Sequence, residues 1–384
     1  MTEEGMRMYN KCVKIAIVGT RGIPAKYGGF ETCAEELATG LARKGYRVLV
    51  SCRRYLYENR PSSYGDVRLC YPPSIPGKIT DTFSHTFFSM LRVLLWHPDV
   101  ILVFNSANGP ILLLPKLFRK TAVINVDGLE WKRAKWGRAA RLYYKFAESF
   151  SSLIADAVVS DAEAIRDYYL KKYGRDSVYI PYGAYTLESK NPGIIKGYNL
   201  EKNGYFFMGS RLEPENHQDM AVEAFCNVKT DKLLVIAGNA NWKSTYVSRL
   251  KKTDDGRIRF LGPVYEPGHI EELHCNAFAY IHGNEVGGTN PALLKAMGSG
   301  NCIIALDVPF NREVLGDTGF YFKDTSDLKI RIDFLLQNPL EVRTLGEKAR
   351  ERVKRLYTWE KVVADYEKIF MELKNGKKKT SDTF

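Results

Sequence analysis

Short runs of aliphatic and β-branched residues alternate along the chain with stretches in which apolar positions recur at helical spacing. The runs at 13–18, 48–50, 100–104, 122–126, 157–159 and 178–180 lack the in-out alternation of a half-exposed strand, so they read as strands buried on both faces. Strand and helix patterns taking turns predict a parallel sheet covered by helices. After a polar stretch at 188–203 the rhythm restarts at 205–208, 233–237, 258–261, 277–281 and 302–305, which predicts a second α/β domain. Trp359, Val362, Val363, Tyr366, Phe370 and Leu373 share one helical face, so a terminal amphipathic helix needs an apolar surface to cover. The expected boundaries are 11–188 plus 359–374 for the first domain and 195–358 for the second, with 375–384 a disordered basic tail.

The chain has 384 residues, well beyond the ~150 typical of one domain. With 45% hydrophobic and 26% charged residues it has the composition of a soluble globular protein. A net charge of +12 draws its surface toward phosphates, without choosing among nucleotide, nucleic acid and anionic lipid. Seven scattered cysteines with no Cys-x-x-Cys pair read as reduced and structural, which suits the cytoplasm. Residues 1–11 have no apolar stretch, so neither a secretory signal nor an anchor is expected there. The most apolar region, 87–104, is broken by Arg92, His97, Pro98 and Asp99 and falls short of the ~20 residues that span a bilayer. Membrane contact is therefore expected to be peripheral, at the inner face. Lys132, Arg133, Lys135, Arg138, Arg141 and Lys145, interleaved with Trp131, Trp136, Leu142, Tyr143 and Tyr144, suit an anionic leaflet or a lipid diphosphate, although such a run is also the pattern of a solvated face. No nucleic-acid-binding module is recognisable, and nucleic acid is not an expected partner.

Two glycine-rich segments carry candidate chemistry. The first strand runs into Gly19-Thr20-Arg21-Gly22-Ile23-Pro24-Ala25-Lys26-Tyr27-Gly28-Gly29-Phe30-Glu31, then a helix with an inner face of Phe30, Ala34, Leu37 and Leu41. Free amides at a helix N-terminus behind a flexible turn favour an anion. The spacing is not G-x-G-x-x-G, and the second strand ends at Ser51-Cys52-Arg53-Arg54 with no acid for a ribose, which disfavours a dinucleotide oxidoreductase. The second segment is His282-Gly283-Asn284-Glu285-Val286-Gly287-Gly288-Thr289-Asn290-Pro291. Asn290 suits an N-cap and Pro291 a first helical position, so Gly287, Gly288 and Thr289 lead into a second phosphate cradle, or into a plain capped helix.

Tyr27-Gly28-Gly29-Phe30-Glu31, Asn125-Val126-Asp127-Gly128-Leu129-Glu130-Trp131 and Ile180-Pro181-Tyr182-Gly183-Ala184 together resemble GT-B glycosyltransferases of the rhamnosyltransferase-like branch of glycosyltransferase family 4, over roughly 13–373. Gly209-Ser210-Arg211-Leu212-Glu213-Pro214-Glu215-Asn216 is similar to the family's G-R-L-x-P-E-K segment. The resemblance implies two Rossmann-like domains facing a central cleft, with the C-terminal helix crossing back to the first. It implies a retaining transferase moving a sugar from a nucleotide-diphosphate donor, in this branch dTDP-L-rhamnose, to a saccharide acceptor, free or lipid-linked, in surface polysaccharide synthesis. Arg211 is then the clamp on the leaving diphosphate, because a guanidinium offers a rigid fork of donors. With it, Gly28, Gly29, Asn216, His282, Gly287, Gly288, Thr289, Asn290 and Lys295 fall on the donor side. Asp127 and Glu285 are candidate catalytic carboxylates, and Thr20, Arg21, Glu31 and Glu130 fall on the acceptor side.

The chain departs from the family at two places. Asn216 stands where the family has a phosphate-binding lysine, and Gly287 and Lys295 stand where it has two glutamates. A lysine cannot accept hydrogen bonds from a ribose diol, so either nucleotide binding is rearranged or Lys295 meets the diphosphate. No Asp-x-Asp occurs and the histidines lack metal-ligand spacing, so no metal or other cofactor is expected. The rival functions on this fold are a catalytically weak nucleotide-sugar-binding protein and a nucleotide-sugar epimerase.

Overall fold

The structure, a computed structural model, describes residues 13–25, 28–77, 80–133, 136–238 and 244–381. It divides into two units, one formed by the chain up to Tyr182 together with the segment from Trp359 onward, the other by Gly183–Thr358.

The first unit runs β1 (Lys14–Val18), α1 (Gly28–Arg43), β2 (Arg47–Ser51), β3 (Ser63–Tyr64), β4 (Val67–Cys70), α2 (Thr80–Leu94), β5 (Val100–Phe104), α3 (Leu113–Leu117), β6 (Thr121–Asn125), α4 (Arg138–Ile154), β7 (Ala157–Ser160), α5 (Glu163–Tyr173) and β8 (Val178–Tyr179). The strand order is β3-β4-β2-β1-β5-β6-β7-β8, parallel except for the antiparallel β3–β4 pair. Ile15 pairs with Val48 on one side and Val100 on the other, and all three are buried, which is why these runs carry no polar alternation. β3 and β4 were not legible in the apolar pattern. Ser63–Tyr64 is too short for a period, and β4 alternates buried Val67 and exposed Arg68 as a strand near the edge does.

The second unit runs β9 (Tyr205–Gly209), α6 (Gln218–Cys226), β10 (Leu233–Ala237), α7 (Thr245–Leu250), β11 (Ile258–Gly262), α8 (His269–Cys275), β12 (Ala279–His282), α9 (Pro291–Gly298), β13 (Ile303–Leu306), α10 (Pro309–Leu315), β14 (Phe320–Phe322), α11 (Thr325–Gln337) and α12 (Pro339–Leu356). Its strands are parallel throughout, in the order β11-β10-β9-β12-β13-β14. Phe206, Met208, Phe225, Ile236, Ile281 and Phe322 form the centre of one core layer. Complete burial of each such side chain contributes roughly 1.5–3 kcal/mol.

The last helix, α13 (Trp359–Ser381), belongs to the first unit. Val363 packs on Gly40 of α1, and Tyr46 donates to Glu367 Oε1 at 2.8 Å. Asn125 at the end of β6 donates to the Tyr366 hydroxyl at 2.7 Å. The helix continues past Lys374, the residue after which the sequence reads as disordered; 382–384 lie outside the described residues.

Both sheets reverse their direction of winding beside their first strand. Chain order moves outward from β1 to β2 and β4, then returns to β5 on the other side, and likewise outward from β9 to β10 and β11 before returning to β12. Open α/β sheets bind ligands beyond the carboxyl ends of the strands at such a reversal. The loops after β1 and β5 and those after β9 and β12 are thus where each unit's chemistry belongs.

Candidate active site

In the second unit the chain leaves β9 at Gly209 and is pinned at once. The Arg211 carbonyl accepts from the Glu213 amide at 2.9 Å, from Asn216 Nδ2 at 2.7 Å and from Gln218 Nε2 at 2.8 Å. Gln218 Nε2 also reaches Ser210 Oγ at 2.9 Å, while its Oε1 accepts from the Tyr246 hydroxyl at 3.0 Å. The backbone of Arg211 is therefore fixed, yet its side chain is 47% exposed, with Nη1 3.4 Å from Glu213 Oε1. The guanidinium faces outward, while the Glu213 carboxylate beside it is only 4% exposed. Asn216 takes a different part from the family's lysine: it is buried, and its amide nitrogen braces Arg211. Gln218, which does the same, went unnoticed in the sequence because a glutamine at a helix start has no distinctive pattern.

The loop after β12 is tied to this turn. The Glu285 amide donates to the Glu215 carbonyl at 2.9 Å, and a side chain at Gly283 would meet the Asn216 carbonyl oxygen at 2.3 Å. On the other side Gly238 backs onto the same turn. Asn290 caps α9 through Oδ1, which accepts from the Ala292 amide at 2.9 Å, as the sequence implied. Gly288 and Thr289 are buried and Gly287 half-buried at the entrance to that helix. Glu285 is exposed, with Oε2 3.2 Å from His217 Nε2. Lys295 lies one turn into α9 and points its ammonium at Glu271 Oε1 of α8, 3.0 Å away. The half-buried ammonium is thus already countered by a carboxylate.

His282 ends β12 with 2% of its surface exposed, its ring stacked on Tyr280 and its Nε2 with no hydrogen-bond partner among the described residues. Burial pushes its pKa down to about 3. His274, packed edge-on against Phe207, is likewise brought to about 3, by burial first and then by the Lys295 ammonium. Both are neutral imidazoles at pH 7. The unfolded chain takes up their protons below about pH 6.5 and the folded one does not, so stability falls as the pH drops from 6.5 toward 3. Urea unfolding at pH 7 and pH 5 should show a loss of roughly 2 kcal/mol per histidine. His274→Gln should lose correspondingly less on acidification; an unchanged pH dependence would refute the linkage.

In the first unit, Gly28 and Gly29 are the opening residues of α1 rather than a free turn. Glu31, in that first turn, folds inward: its Oε1 accepts from the Arg21 amide at 3.0 Å, and burial raises its pKa against the pull of that bond. Glu31 therefore shapes the loop. Thr20 is buried and receives the Gly22 amide on Oγ1 at 3.1 Å, whereas the Arg21 side chain is exposed. Lys26 and Tyr27 lie outside the described residues.

After β6, Asp127 adopts a positive φ of 54° and is half-buried, with Oδ1 receiving the Tyr182 hydroxyl at 3.3 Å. Burial raises its carboxyl above the usual range, with Arg133 opposing. Glu130 is engaged twice, by Arg133 Nε at 2.6 Å and by Trp136 Nε1 at 3.1 Å. Within the basic stretch Tyr144 is buried and Trp131, Trp136 and Tyr143 are half-buried, while Lys132, Arg138, Arg141, Leu142 and Lys145 are exposed. Lys135 lies outside the described residues. Among the described residues no cluster of three or more His, Cys, Asp or Glu has the arrangement to hold a metal ion, and Cys33, Cys52, Cys70, Cys226, Cys275 and Cys302 are free thiols.

Residues 193–352 match the family described as Glycosyl transferases group 1, while 12–71 and 114–185 match a domain of unknown function, DUF1972. The fold superposes on sucrose-phosphate synthase from Thermosynechococcus elongatus with a TM-score of 0.78 at 18% identity, covering 94% of this chain and 99% of that one. It superposes on Anabaena HepE, crystallised with UDP, with a TM-score of 0.73 at 14% identity, covering 94% and 100%. The chain has the GT-B fold, and its second unit carries the match to the group 1 glycosyl transferases. In sequence it is 25% identical over 386 residues to an uncharacterized glycosyltransferase of Methanocaldococcus jannaschii, covering 91% of this chain and 96% of the relative. It is 30% identical over 167 residues to the N-acetyl-alpha-D-glucosaminyl L-malate synthase of Bacillus anthracis, covering 41% and 43%.

Proposed function

We propose that the protein transfers L-rhamnose from dTDP-L-rhamnose to a lipid-linked saccharide, with retention of configuration and without a metal. The observation that carries the donor side is the pinned turn at Arg211, which leaves an outward guanidinium at the sheet's winding reversal beside the capped start of α9. A nucleoside diphosphate fits that chemistry, and the UDP held by Anabaena HepE supports a pyrimidine nucleotide. As the bond from the anomeric carbon to the diphosphate breaks, negative charge grows on the leaving oxygens. Arg211 and the amides of Gly287, Gly288 and Thr289 stabilise it, and the departing oxygen takes the acceptor's proton. No paired carboxylates are needed, and Asp127 is assigned to a sugar hydroxyl. The residues that replace the family's lysine and glutamate, Asn216 and Lys295, favour a second reading in which the protein binds nucleotide sugars without transfer.

Incubation with dTDP-L-rhamnose, with UDP-glucose as comparator, separates these readings. Each ligand that binds should raise the thermal midpoint, equivalent to about 2.7 kcal/mol at one hundred times its Kd. Free nucleoside diphosphate should accumulate only when acceptor is present and should be insensitive to EDTA. Binding without release in any acceptor extract would favour the second reading, and a changed sugar without acceptor would make the protein an epimerase.

A further inference from the structure

Three neighbouring helices of the first unit present apolar side chains to solvent. On α2, Phe83, Phe87 and Leu91 follow one another at four-residue spacing along the outer face, and Leu95 continues the line. The opposite face, with His85, Met90 and Val93, is buried. α3 is 76% exposed at Leu117, with Leu113 and the following Phe118 also outward. On α4, Leu142, Phe146 and Leu153 stand outward, Leu153 at 80%. These helices adjoin: α2 packs on α3, and Leu113 and Lys116 of α3 share a hollow with Leu153 and Ile154 at the end of α4. Single exposed leucines are ordinary, but a ridge of outward apolar side chains at helical spacing on adjoining helices is not.

The exposed charge around the ridge is predominantly positive, with Lys116 paired to Asp156 at the hollow between α3 and α4. Arg92, Arg119, Arg138, Arg141 and Lys145 are exposed, while the carboxylates of these helices, Asp81 and Glu148, are buried. A second copy of the chain would set this positive surface against itself, which costs free energy. No helix among the described residues is long and apolar enough to cross a membrane, so the pattern is that of a surface that lies on a bilayer.

We propose that the outer faces of α2, α3 and α4 dock the first unit on a bilayer leaflet rich in anionic lipid, the apolar ridge entering the headgroup region and the arginines meeting lipid phosphates. This deepens the reading of a lipid-linked acceptor and rests on it for its purpose, but its test needs neither donor nor acceptor. The purified chain should sediment with vesicles of phosphatidylcholine and phosphatidylglycerol, and not with phosphatidylcholine alone, and added salt should weaken the binding. Arg138→Gln/Arg141→Gln should weaken it about 25-fold, at roughly fivefold per cation. Leu142→Ser/Phe146→Ser should weaken it about tenfold or more while circular dichroism stays unchanged. If that variant does not fold, Phe87→Ser/Leu91→Ser on α2 gives the same reading. No sedimentation dependent on phosphatidylglycerol, or variants that bind like the parent, would overturn the proposal. So would a dimer in sedimentation velocity that the Leu142→Ser/Phe146→Ser change dissociates. Because sugar transfer is not measured, a wrong donor or acceptor leaves this result standing.

Discussion

Arg211→Ala is expected to lower kcat/KM for sugar transfer by about 100-fold or more, the loss typical when a fixed donor to developing negative charge is removed. The reasoning is geometric. Asn216 and Gln218 hold the Arg211 carbonyl at 2.7 and 2.8 Å, so the backbone stays in place without the side chain. Its partner Glu213 is only 4% exposed, so loss of the cation takes a counter-charge away from a buried carboxylate, and the thermal midpoint without ligand should fall as well. The midpoint shift produced by a nucleoside diphosphate should largely vanish. Arg211→Lys keeps the charge but not the fork, and should fall between parent and alanine. A diphosphate shift of full size in Arg211→Ala would remove the guanidinium from the donor site.

Gly238→Ala is expected to have the largest effect on stability, about 3 kcal/mol, or a midpoint roughly 6–12 °C lower. Its φ of 148° lies where L side chains are rare, and an added Cβ would fall 1.8 Å from the Ser210 carbonyl oxygen. The Gly238 amide is also fixed, donating to the Gly262 carbonyl at 2.8 Å, so the strand end cannot retreat freely. Something must move, and the turn carrying Arg211 is what it would push. Nucleotide affinity should therefore fall together with stability. Gly283→Ala approaches the same turn from the other side, at 2.3 Å from the Asn216 carbonyl, without the φ penalty. It should cost less stability but still weaken nucleotide binding. A normal midpoint and an undiminished nucleotide shift in Gly238→Ala would mean the turn is far more yielding than this packing allows.

Much of the scaffold was legible because each central strand is buried on both faces and leaves an unbroken apolar run. The runs at 100–104 and 233–237 coincide with β5 and β10 residue for residue. β14, only Phe320–Phe322, lies between Gly319 and Lys323 and is too short to show a period. The Asn290 cap was readable since a cap is a local hydrogen bond between residues two apart. Asn216, Glu31 and Lys295 were readable as polar residues in interesting places but not in their tasks. Their partners are the Arg211 carbonyl, the Arg21 amide and the Glu271 carboxylate, and nothing in the local sequence designates them.

By itself the sequence determined the parallel α/β architecture, the restart of the pattern near residue 205, and the glycine-rich segments that end β1 and precede α9. Hydrophobic period and capping are short-range properties, and a chain cannot hide them. Tertiary structure alone decided that β9 and β12 lie side by side, although some seventy residues separate them, and so placed the turns of Arg211 and Gly283 in contact. It decided which side of α4 faces water, putting Leu142 and Phe146 outside and Tyr144 inside. A helix with apolar residues on more than one face satisfies the helical period in either orientation, and only packing against the sheet selects between them.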